Sequence, residues 1–202
     1  MQLKLPEELQ FIANARMVQK TTSGRLDGKV CIITGATSGV GYQAVKRLAR
    51  GGAQIVMVCR NGEKAKRVKE EIKREFQVPI DCIQADFSRF ADVRKAAGEI
   101  LQKYPRIDVL INNAGVHYTH RTLNENGIEI VFAVNHLASF LFTRLLLDRL
   151  LQSAPARIIQ VNSQGHRFGG LDLTDLNWDK RRYRGLKSYG ASKVAQLLTV
   201  WE

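Results

Sequence analysis

The chain has 202 residues, enough for one α/β domain with a substantial core but too few for two domains of ordinary size. Its 45% hydrophobic and 25% charged content is that of a globular protein, and its net charge of +12 favours a phosphate-bearing ligand, a nucleic acid or an anionic membrane as partner. The charge is scattered along helical segments, without an arginine-rich arm or an aromatic-studded sheet motif, so we expect no nucleic-acid partner.

The N-terminal segment, residues 1–25, is predicted to precede a domain over residues 26–202. Within it, Leu9–Val18 is basic and weakly amphipathic; a docking helix is the favoured interpretation, and peripheral membrane contact is the alternative. Phe11–Ala13 is too short for a signal-peptide core, and the most apolar later stretch, Val131–Leu151, is interrupted by charged residues. These features predict a cytoplasmic protein.

Three cysteines, Cys31, Cys59 and Cys82, are widely spaced, and each lies in or beside an apolar run. We interpret them as reduced thiols of the core, which agrees with a cytoplasmic location. Their spacing is not that of a metal site. His117 and His120 resemble half of one but have no evident third ligand, so we expect no metal.

The first predicted strand, Val30–Ile33, leads into a glycine-rich turn and then a helix from Tyr42. A strand, a glycine turn and a helix in this order form a phosphate-binding arrangement, because the free N–H groups of the helix face an anion. The first glycine suits the turn, the second lets the backbone approach a pyrophosphate, and the third lets the helix pack on its strand. The Gly-x3-Gly-x-Gly spacing alone only favours a nucleotide site over an ordinary tight turn. The candidate binding residues here are Gly35, Thr37, Ser38, Gly39, Val40 and Gly41.

Strands and helices alternate along the rest of the chain, which predicts a doubly wound parallel α/β sheet with right-handed crossovers. The later strands are Gln54–Cys59, Ile80–Gln84, Val109–Ile111 and Arg157–Val161, and the helices are Glu63–Phe76, Ala91–Lys103 and Glu125–Leu151. Ligands of such sheets lie beyond the carboxyl ends of the strands. The residues at that edge are Thr34–Gly41, Arg60, Asp86, Asn112–Gly115 and Asn162–Ser163.

Arg60 ends the second strand, about twenty residues beyond the glycine turn, where an acidic side chain would bind a ribose 2′-hydroxyl. Arginine binds a 2′-phosphate instead, through charge-assisted hydrogen bonds. The sequence therefore favours NADP over NAD, although a surface arginine at a helix start is the ordinary alternative.

Tyr189 and Lys193 are four residues apart and share one face of a helix predicted to begin at Tyr189. An ammonium group one turn away stabilises a phenolate, so Tyr189 could exchange a proton with a carbonyl or alcohol oxygen. Ser163, just after the fifth strand, could donate a hydrogen bond to the same oxygen. A surface Tyr–Lys pair and a serine that caps a turn are the alternatives.

Taken together, these motifs resemble those of the short-chain dehydrogenase/reductase family, and the residues around them are most similar to its retinol-dehydrogenase-like branch. The resemblance covers Leu26 to the last residue and implies a Rossmann-type fold and hydride transfer between a nicotinamide cofactor and a carbonyl/alcohol pair. It implies that Tyr189 is the general acid/base, that Ser163 orients the substrate oxygen, and that Lys193 binds the nicotinamide ribose. The other implied roles are a proton-relay water held by Asn135, an adenine contact by Asp86 with Phe87 beside it, and cofactor support by Asn113, Ala114 and Gly115.

The chain ends inside the predicted Tyr189 helix, whereas family members continue with two further strands and a loop that covers the substrate. We therefore expect a fragment of a longer protein, with a truncated product as the alternative. The predicted activity is NADP(H)-dependent conversion of a lipophilic carbonyl or alcohol. The alternatives are a non-catalytic NADP-binding module and a product without activity. The many apolar positions of the Glu125–Leu151 helix also predict a homo-oligomer.

Overall fold

The computed structural model describes Val18 and residues 22–201. Most of the predicted N-terminal segment, including Leu9–Met17, therefore lies outside the described residues. Val18 is almost fully exposed, and Thr22–Leu26 has no regular secondary structure before the first strand.

A five-stranded parallel sheet forms the centre of the described chain, in the order β3-β2-β1-β4-β5. The strands are β1 Val30–Thr34, β2 Gln54–Cys59, β3 Ile80–Gln84, β4 Val109–Asn112 and β5 Arg157–Gln160. The chain crosses from one half of the sheet to the other between β3 and β4, so β1 and β4 become neighbours at the switch point, where ligands of this fold bind. The predicted α/β fold is confirmed.

Helices cover both faces of the sheet and bury two apolar clusters. The helices are α1 Gly39–Arg50, α2 Gly62–Phe76, α3 Phe90–Lys103, α4 Ile130–Gln152 and α5 Gly185–Trp201, with a short 3-10 helix at Gln164–Phe168. One cluster includes Ile32, Leu110 and Phe142, and the other includes Ile33 and Ile55. Neighbouring residues of β1 thus face opposite layers, as a doubly covered strand requires.

Three helix starts differ from the predictions by more than one residue. The first helix begins at Gly39 rather than Tyr42, and α5 begins at Gly185, one turn before Tyr189. The fourth begins at Ile130 rather than Glu125, because the preceding residues form a turn in which Gly127 adopts a positive φ of 71°. Periodic apolar spacing places a helix but does not fix its first turn, which depends on capping.

The α4 helix, Ile130–Gln152, is long and apolar enough to cross a membrane by length and composition. Half of its most apolar window is buried inside the protein, and Phe142 and Leu146 are fully buried in the core. Residues of α4 pack against α3 and β4. These contacts are those of a core helix.

The last elements expose apolar side chains. Ile158 and Ile159 of β5 are 42% and 44% exposed, and Trp201 at the end of α5 is 77% exposed. In contrast, every residue of β1 is buried. Because successive residues of a strand point to opposite faces, β5 exposes apolar side chains on both faces at this edge of the sheet in residues 22–201.

Candidate active site

The loop between β1 and α1 is held in a tight turn that excludes side chains at two positions. Gly35 has a φ of +67°, and a Cβ there would lie 2.8 Å from the Cα of Ala114. A Cβ at Gly41 would lie 2.4 Å from both the Gly35 carbonyl oxygen and the Asn113 side-chain nitrogen. Gly41 thus lets the first turn of the helix pack closely, as predicted for this glycine, but the atoms it approaches belong to the residue after β1 and the residue after β4.

The N-terminus of α1 is free to bind an anion. Ser38 occupies the N-cap, but its side chain makes no capping hydrogen bond, and the first turn contains no acidic residue. The unpaired N–H groups and the positive end of the helix dipole are the features that bind phosphate in this fold. Thr37, Ser38 and Val40 line the cleft at this point, and Gly39 has open space beside its Cα.

Two side chains tie the end of β4 to the glycine loop. The Thr34 hydroxyl accepts hydrogen bonds from the backbone N–H groups of Asn113, at 3.0 Å, and Ala114, at 2.9 Å. The Asn113 amide donates to the backbone oxygens of Thr34 and Gly35, each at 2.9 Å. Asn113, Ala114 and Gly115 therefore form one unit with the loop. Thr34 was predicted to lie at the ligand edge of the sheet, but its role in joining the loop to the residues after β4 was not predicted.

The first cleft, called here the glycine-loop cleft, has a volume of about 430 Å³. It runs from the β1–α1 loop across the carboxyl ends of β2 and β3 and includes Arg60, Asp86 and Phe87. Arg60 is exposed, and no ion pair of its guanidinium group is found in the described part of the chain. Asn61 and Lys64 line the same wall and were not predicted.

Asp86 and Phe87, which follow shortly after β3, take different positions relative to the glycine-loop cleft. One carboxylate oxygen of Asp86 accepts from the Ser88 N–H at 2.9 Å and from its hydroxyl at 2.8 Å, which leaves the other oxygen for a ligand. The ring of Phe87 is only 5% exposed and packs edge-on against Phe142 in the core. Phe87 can therefore contact a cofactor mainly through its backbone.

The second cleft, called here the α5 cleft, has a volume of about 580 Å³ and brings the predicted catalytic side chains together. Ser163, Tyr189 and Lys193 line it, along with Val161, Asn162, Leu186 and His117. It shares Val40, Asn113, Gly115 and Val116 with the glycine-loop cleft, so the two are continuous. The groove thus joins a helix N-terminus to a tyrosine–serine–lysine group.

Close backbone packing sets the position of Tyr189 relative to Ser163. A Cβ at Gly165 would lie 2.9 Å from the Tyr189 Cε1 and 3.4 Å from the Ser163 Oγ, so the two side chains flank this glycine. A Cβ at Gly190 would lie 2.5 Å from the Gly165 oxygen and 2.7 Å from the Gly169 nitrogen. The 3-10 helix and α5 therefore meet at backbone distance. In residues 22–201 the Tyr189 hydroxyl has no hydrogen-bond partner, whereas Ser163 Oγ accepts from the Gly165 N–H at 3.1 Å.

Lys193 is only 4% exposed, and its ammonium group is held by two acceptors. Nζ donates to the Val161 backbone oxygen at 3.0 Å and to the Gln196 side-chain oxygen at 2.8 Å, and it lies 5.6 Å from the centroid of the Tyr189 ring. Burial lowers the pKa of Lys193 to about 8, because a desolvated ammonium is disfavoured. The lysine carbonyl in turn accepts from the Asn162 amide at 2.9 Å.

Asn135 lies in a π-helical segment of α4, Ala133–Ala138. Its side-chain amide accepts from the Val116 N–H at 2.7 Å and donates to the Val116 oxygen and the Ser192 hydroxyl. The side chain is thus committed to the protein, so a relay water at this residue would bind its backbone oxygen, which also accepts from Ser139. The apolar periodicity of α4 gave no signal for the π-helix, a feature often found at functional sites.

One further aromatic contact was missed. The ring of His117 packs edge-on against the Tyr189 ring, with centroids 5.9 Å apart, across the α5 cleft.

The cysteines are free thiols, and burial raises the pKa of Cys31 to about 11. No cluster of three or more potential metal ligands is present among the residues that the structure describes.

Residues 29–174 match the family model described as short chain dehydrogenase. Human retinol dehydrogenase 13 is 40% identical over 174 residues, which cover 86% of this chain and 53% of that protein. A protein of Streptomyces sp. (strain C5), named as a candidate daunorubicin C-13 ketoreductase, is 41% identical over 182 residues, which cover 90% of this chain and 62% of that protein. A solved short-chain dehydrogenase structure from Escherichia coli CFT073, complexed with NADPH, has a TM-score of 0.72 and 26% identity, covering 89% of this chain and 71% of that one.

The chain thus spans between half and two thirds of the length of these two curated relatives. The matched region contains every strand from β1 to β5 and the 3-10 helix that carries Gly165. On these findings, the chain belongs to the short-chain dehydrogenase/reductase family, in its retinol-dehydrogenase-like branch.

Proposed function

We propose that this protein transfers a hydride between NADP(H) and the carbonyl/alcohol pair of a lipophilic small molecule, with Tyr189 as general acid/base. The observation that carries the proposal is the continuity of the two clefts. A single groove has a free helix N-terminus and Arg60 at one end and Ser163, Tyr189 and Lys193 at the other. An extended dinucleotide needs these two ends at once.

The residues present fit such a cofactor. The uncapped N-terminus of α1 suits the pyrophosphate, and the exposed Arg60, with Lys64 beside it in the cleft wall, suits a 2′-phosphate. The E. coli relative complexed with NADPH supports NADP rather than NAD. When bound, NADPH supplies the hydride.

Tyr189, Ser163 and Lys193 then have separate tasks in carbonyl reduction. The Ser163 hydroxyl donates a hydrogen bond to the carbonyl oxygen, and the Tyr189 hydroxyl gives its proton to that oxygen as negative charge develops there. The Lys193 ammonium, 5.6 Å from the phenol ring, stabilises the resulting phenolate. In alcohol oxidation the same proton moves in the opposite direction.

The proposal is tested with Tyr189→Phe, which removes only the hydroxyl. We expect turnover of aldehydes or ketones to fall by about 100-fold to 10,000-fold, the range of general acid–base catalysis, while NADPH affinity stays within about twofold. The measurements are NADPH oxidation against a panel of lipophilic carbonyls and a fluorescence titration with NADPH. Unchanged turnover in the variant would refute the role of Tyr189.

The second candidate is a non-catalytic NADP-binding module. The observation that favours it is that apolar residues of β5 and α5 beside the α5 cleft are exposed, among them Leu186 at 71%. The same two measurements on the wild-type chain separate the candidates. NADPH binding together with turnover supports the enzyme, and binding without turnover against the full panel supports the module.

We also propose that the chain self-associates. On α4, the apolar side chains of Phe140 and Leu151 are 43% and 65% exposed. Sedimentation equilibrium should give a dimer or larger species, and a monomer at all concentrations would contradict self-association.

A further inference from the structure

A buried amide lies behind the candidate catalytic lysine. Gln196 on α5 is 1% exposed, and its side-chain oxygen accepts from Lys193 Nζ at 2.8 Å. Its side-chain nitrogen is also buried but has no hydrogen-bond partner in the described part of the chain. A buried polar atom without a partner destabilises the folded state. Within the described residues, the one hydrogen bond of this side chain is therefore the one to Lys193.

The donors of the ammonium group can be counted. An ammonium has three N–H groups, and two of them are used by Val161 and Gln196. The third N–H group is available to a ligand in the groove. Nζ lies close to Gly115, 3.9 Å from the position that a Cβ on that residue would occupy, and Gly115 lines both clefts. The two protein acceptors therefore fix Nζ from behind and leave one donor for a ligand.

The surroundings of Lys193 contain no compensating negative charge. No carboxylate forms an ion pair with Lys193 within residues 22–201. Tyr189 on α5 and His117 in the loop after β4 are the titratable groups that line the α5 cleft together with Lys193. The other charged or titratable groups on the surrounding helices are Lys187 on α5, His166 and Arg167 on the 3-10 helix, and His136, Arg144, Asp148 and Arg149 on α4. Among the described residues, the only side-chain acceptor for the ammonium is thus the neutral oxygen of Gln196.

We propose that Gln196 is a positioning residue, whose side-chain oxygen holds the Lys193 ammonium charged and in place behind the Tyr189 phenol. Its catalytic consequence rests on the proposed function, but the contact itself does not. Gln196 contacts no substrate and lines neither cleft; it acts through Lys193. A neutral acceptor stabilises the charge without forming a salt bridge that would compete with a ligand for the third donor.

The test compares Gln196→Met, which keeps the size but removes the acceptor, with Gln196→Glu, which keeps the shape and adds a negative charge. The pKa of Lys193 is measured directly by NMR of its Cε and Nζ nuclei. We expect the methionine variant to lower this pKa by about one unit or more and the glutamate variant to raise it by a similar amount. Thr199→Val, a polar-to-apolar change one turn later on α5, is the matched control and should leave the pKa unchanged.

The kinetic measurement is the pH profile of NADPH-dependent carbonyl reduction. If the Lys193 pKa falls by one unit from about 8 in Gln196→Met, the charged fraction and with it turnover at pH 7.5 should fall about threefold. The limb of the profile that reports Lys193 should move to lower pH in this variant and to higher pH in the glutamate variant. The glutamate variant keeps the proposal testable if the methionine variant fails to fold.

Two outcomes distinguish failure of this inference from failure of the proposed function. If the Lys193 pKa is the same in both variants as in the wild type, Gln196 is only structural and the inference is overturned. If the pKa shifts as expected in a chain that reduces no carbonyl, the contact is supported and the proposed function fails instead.

Discussion

The two ends of the groove are built in different ways. Around the glycine-loop cleft, β1 and β2 are buried almost throughout, and Thr34 and Asn113 join the loop to β4 by four hydrogen bonds. Around the α5 cleft, β5 is largely exposed, and Gln196 keeps a buried nitrogen without a partner.

The buried side-chain polar atoms without a hydrogen bond are also unevenly distributed. Among the described residues they lie at or beyond the end of β4, on Asn112, His136, Gln160, Arg181, Ser188 and Gln196, although Arg181 Nε forms an ion pair with Asp175 at 3.3 Å. The first end therefore has buried strands and a loop that is hydrogen-bonded to the residues after β4, across 78 to 80 residues of sequence. The second depends on the close approach of the 3-10 helix to α5, so small changes of backbone there should have the larger effect on chemistry.

The largest effect is expected from Gly190→Ala. Its Cβ would lie 2.5 Å from the Gly165 oxygen, so α5 must move away from the 3-10 helix and carry Tyr189 away from Ser163. We expect turnover to fall about 100-fold and the free energy of unfolding to fall by about 1–3 kcal/mol. Steady-state kinetics and urea unfolding measure the two quantities.

Gly98→Ala is the matched control for that substitution. Gly98 lies inside α3, and a Cβ there would meet no atom within 4 Å. The free energy of unfolding should rise by about 0.5–1 kcal/mol, with turnover unchanged. Equal turnover in Gly190→Ala and Gly98→Ala would show that the approach of the 3-10 helix to α5 does not position the tyrosine.

The contrast between the two ends also explains what the sequence could predict. Apolar runs bounded by polar or small residues placed all five strands to within one residue, and the glycine turn marked the carboxyl edge of β1 correctly. Such signals are local: a strand buried on both faces must be apolar, and a tight turn with positive φ favours glycine at Gly35.

Features that depend on long-range contacts gave no such signal. The π-helical segment around Asn135, the burial of Gln196 and the backbone contact between Gly165 and Gly190 each join residues whose spatial proximity is set by the finished fold. The start of α5 was misplaced at Tyr189 for a similar reason, since the helix begins where Gly185 packs beside Tyr118 and His117.

A smaller effect is expected at the other end of the groove, from Arg60→Ala. If its guanidinium binds a 2′-phosphate, the variant should bind NADPH about 10- to 100-fold more weakly and NADH with unchanged affinity. Fluorescence titration with each cofactor gives the ratio. Arg67→Ala removes the same charge from an exposed position on α2 outside the cleft and controls for the net charge. Equal weakening of NADPH and NADH would contradict the specificity assigned to Arg60.

Asp108→Asn is expected to have no effect on function, because Asp108 lies just before β4 and lines neither cleft. The Asp108 carboxylate is 3% exposed and accepts from Arg106 Nε at 2.9 Å, the Val30 N–H at 2.9 Å and Lys29 Nζ at 3.0 Å. Burial alone would raise its pKa, but these hydrogen bonds and charges outweigh burial and hold the pKa at about 2.

Because the pKa is lower in the folded than in the unfolded state, the carboxylate stabilises the fold above pH 4, and this contribution is lost as the pH falls through about 2. Asp108→Asn should therefore lower the free energy of unfolding by about 2 kcal/mol at pH 7 and by much less at pH 2. Urea unfolding across this pH range measures the difference, and NADPH affinity at pH 7 should be unchanged. A loss of the same size at both pH values would mean that packing rather than charge stabilises this end of the sheet. If NADPH affinity falls as well, the shape of the glycine-loop cleft depends on the strands that Asp108 stabilises and not on its own hydrogen bonds alone.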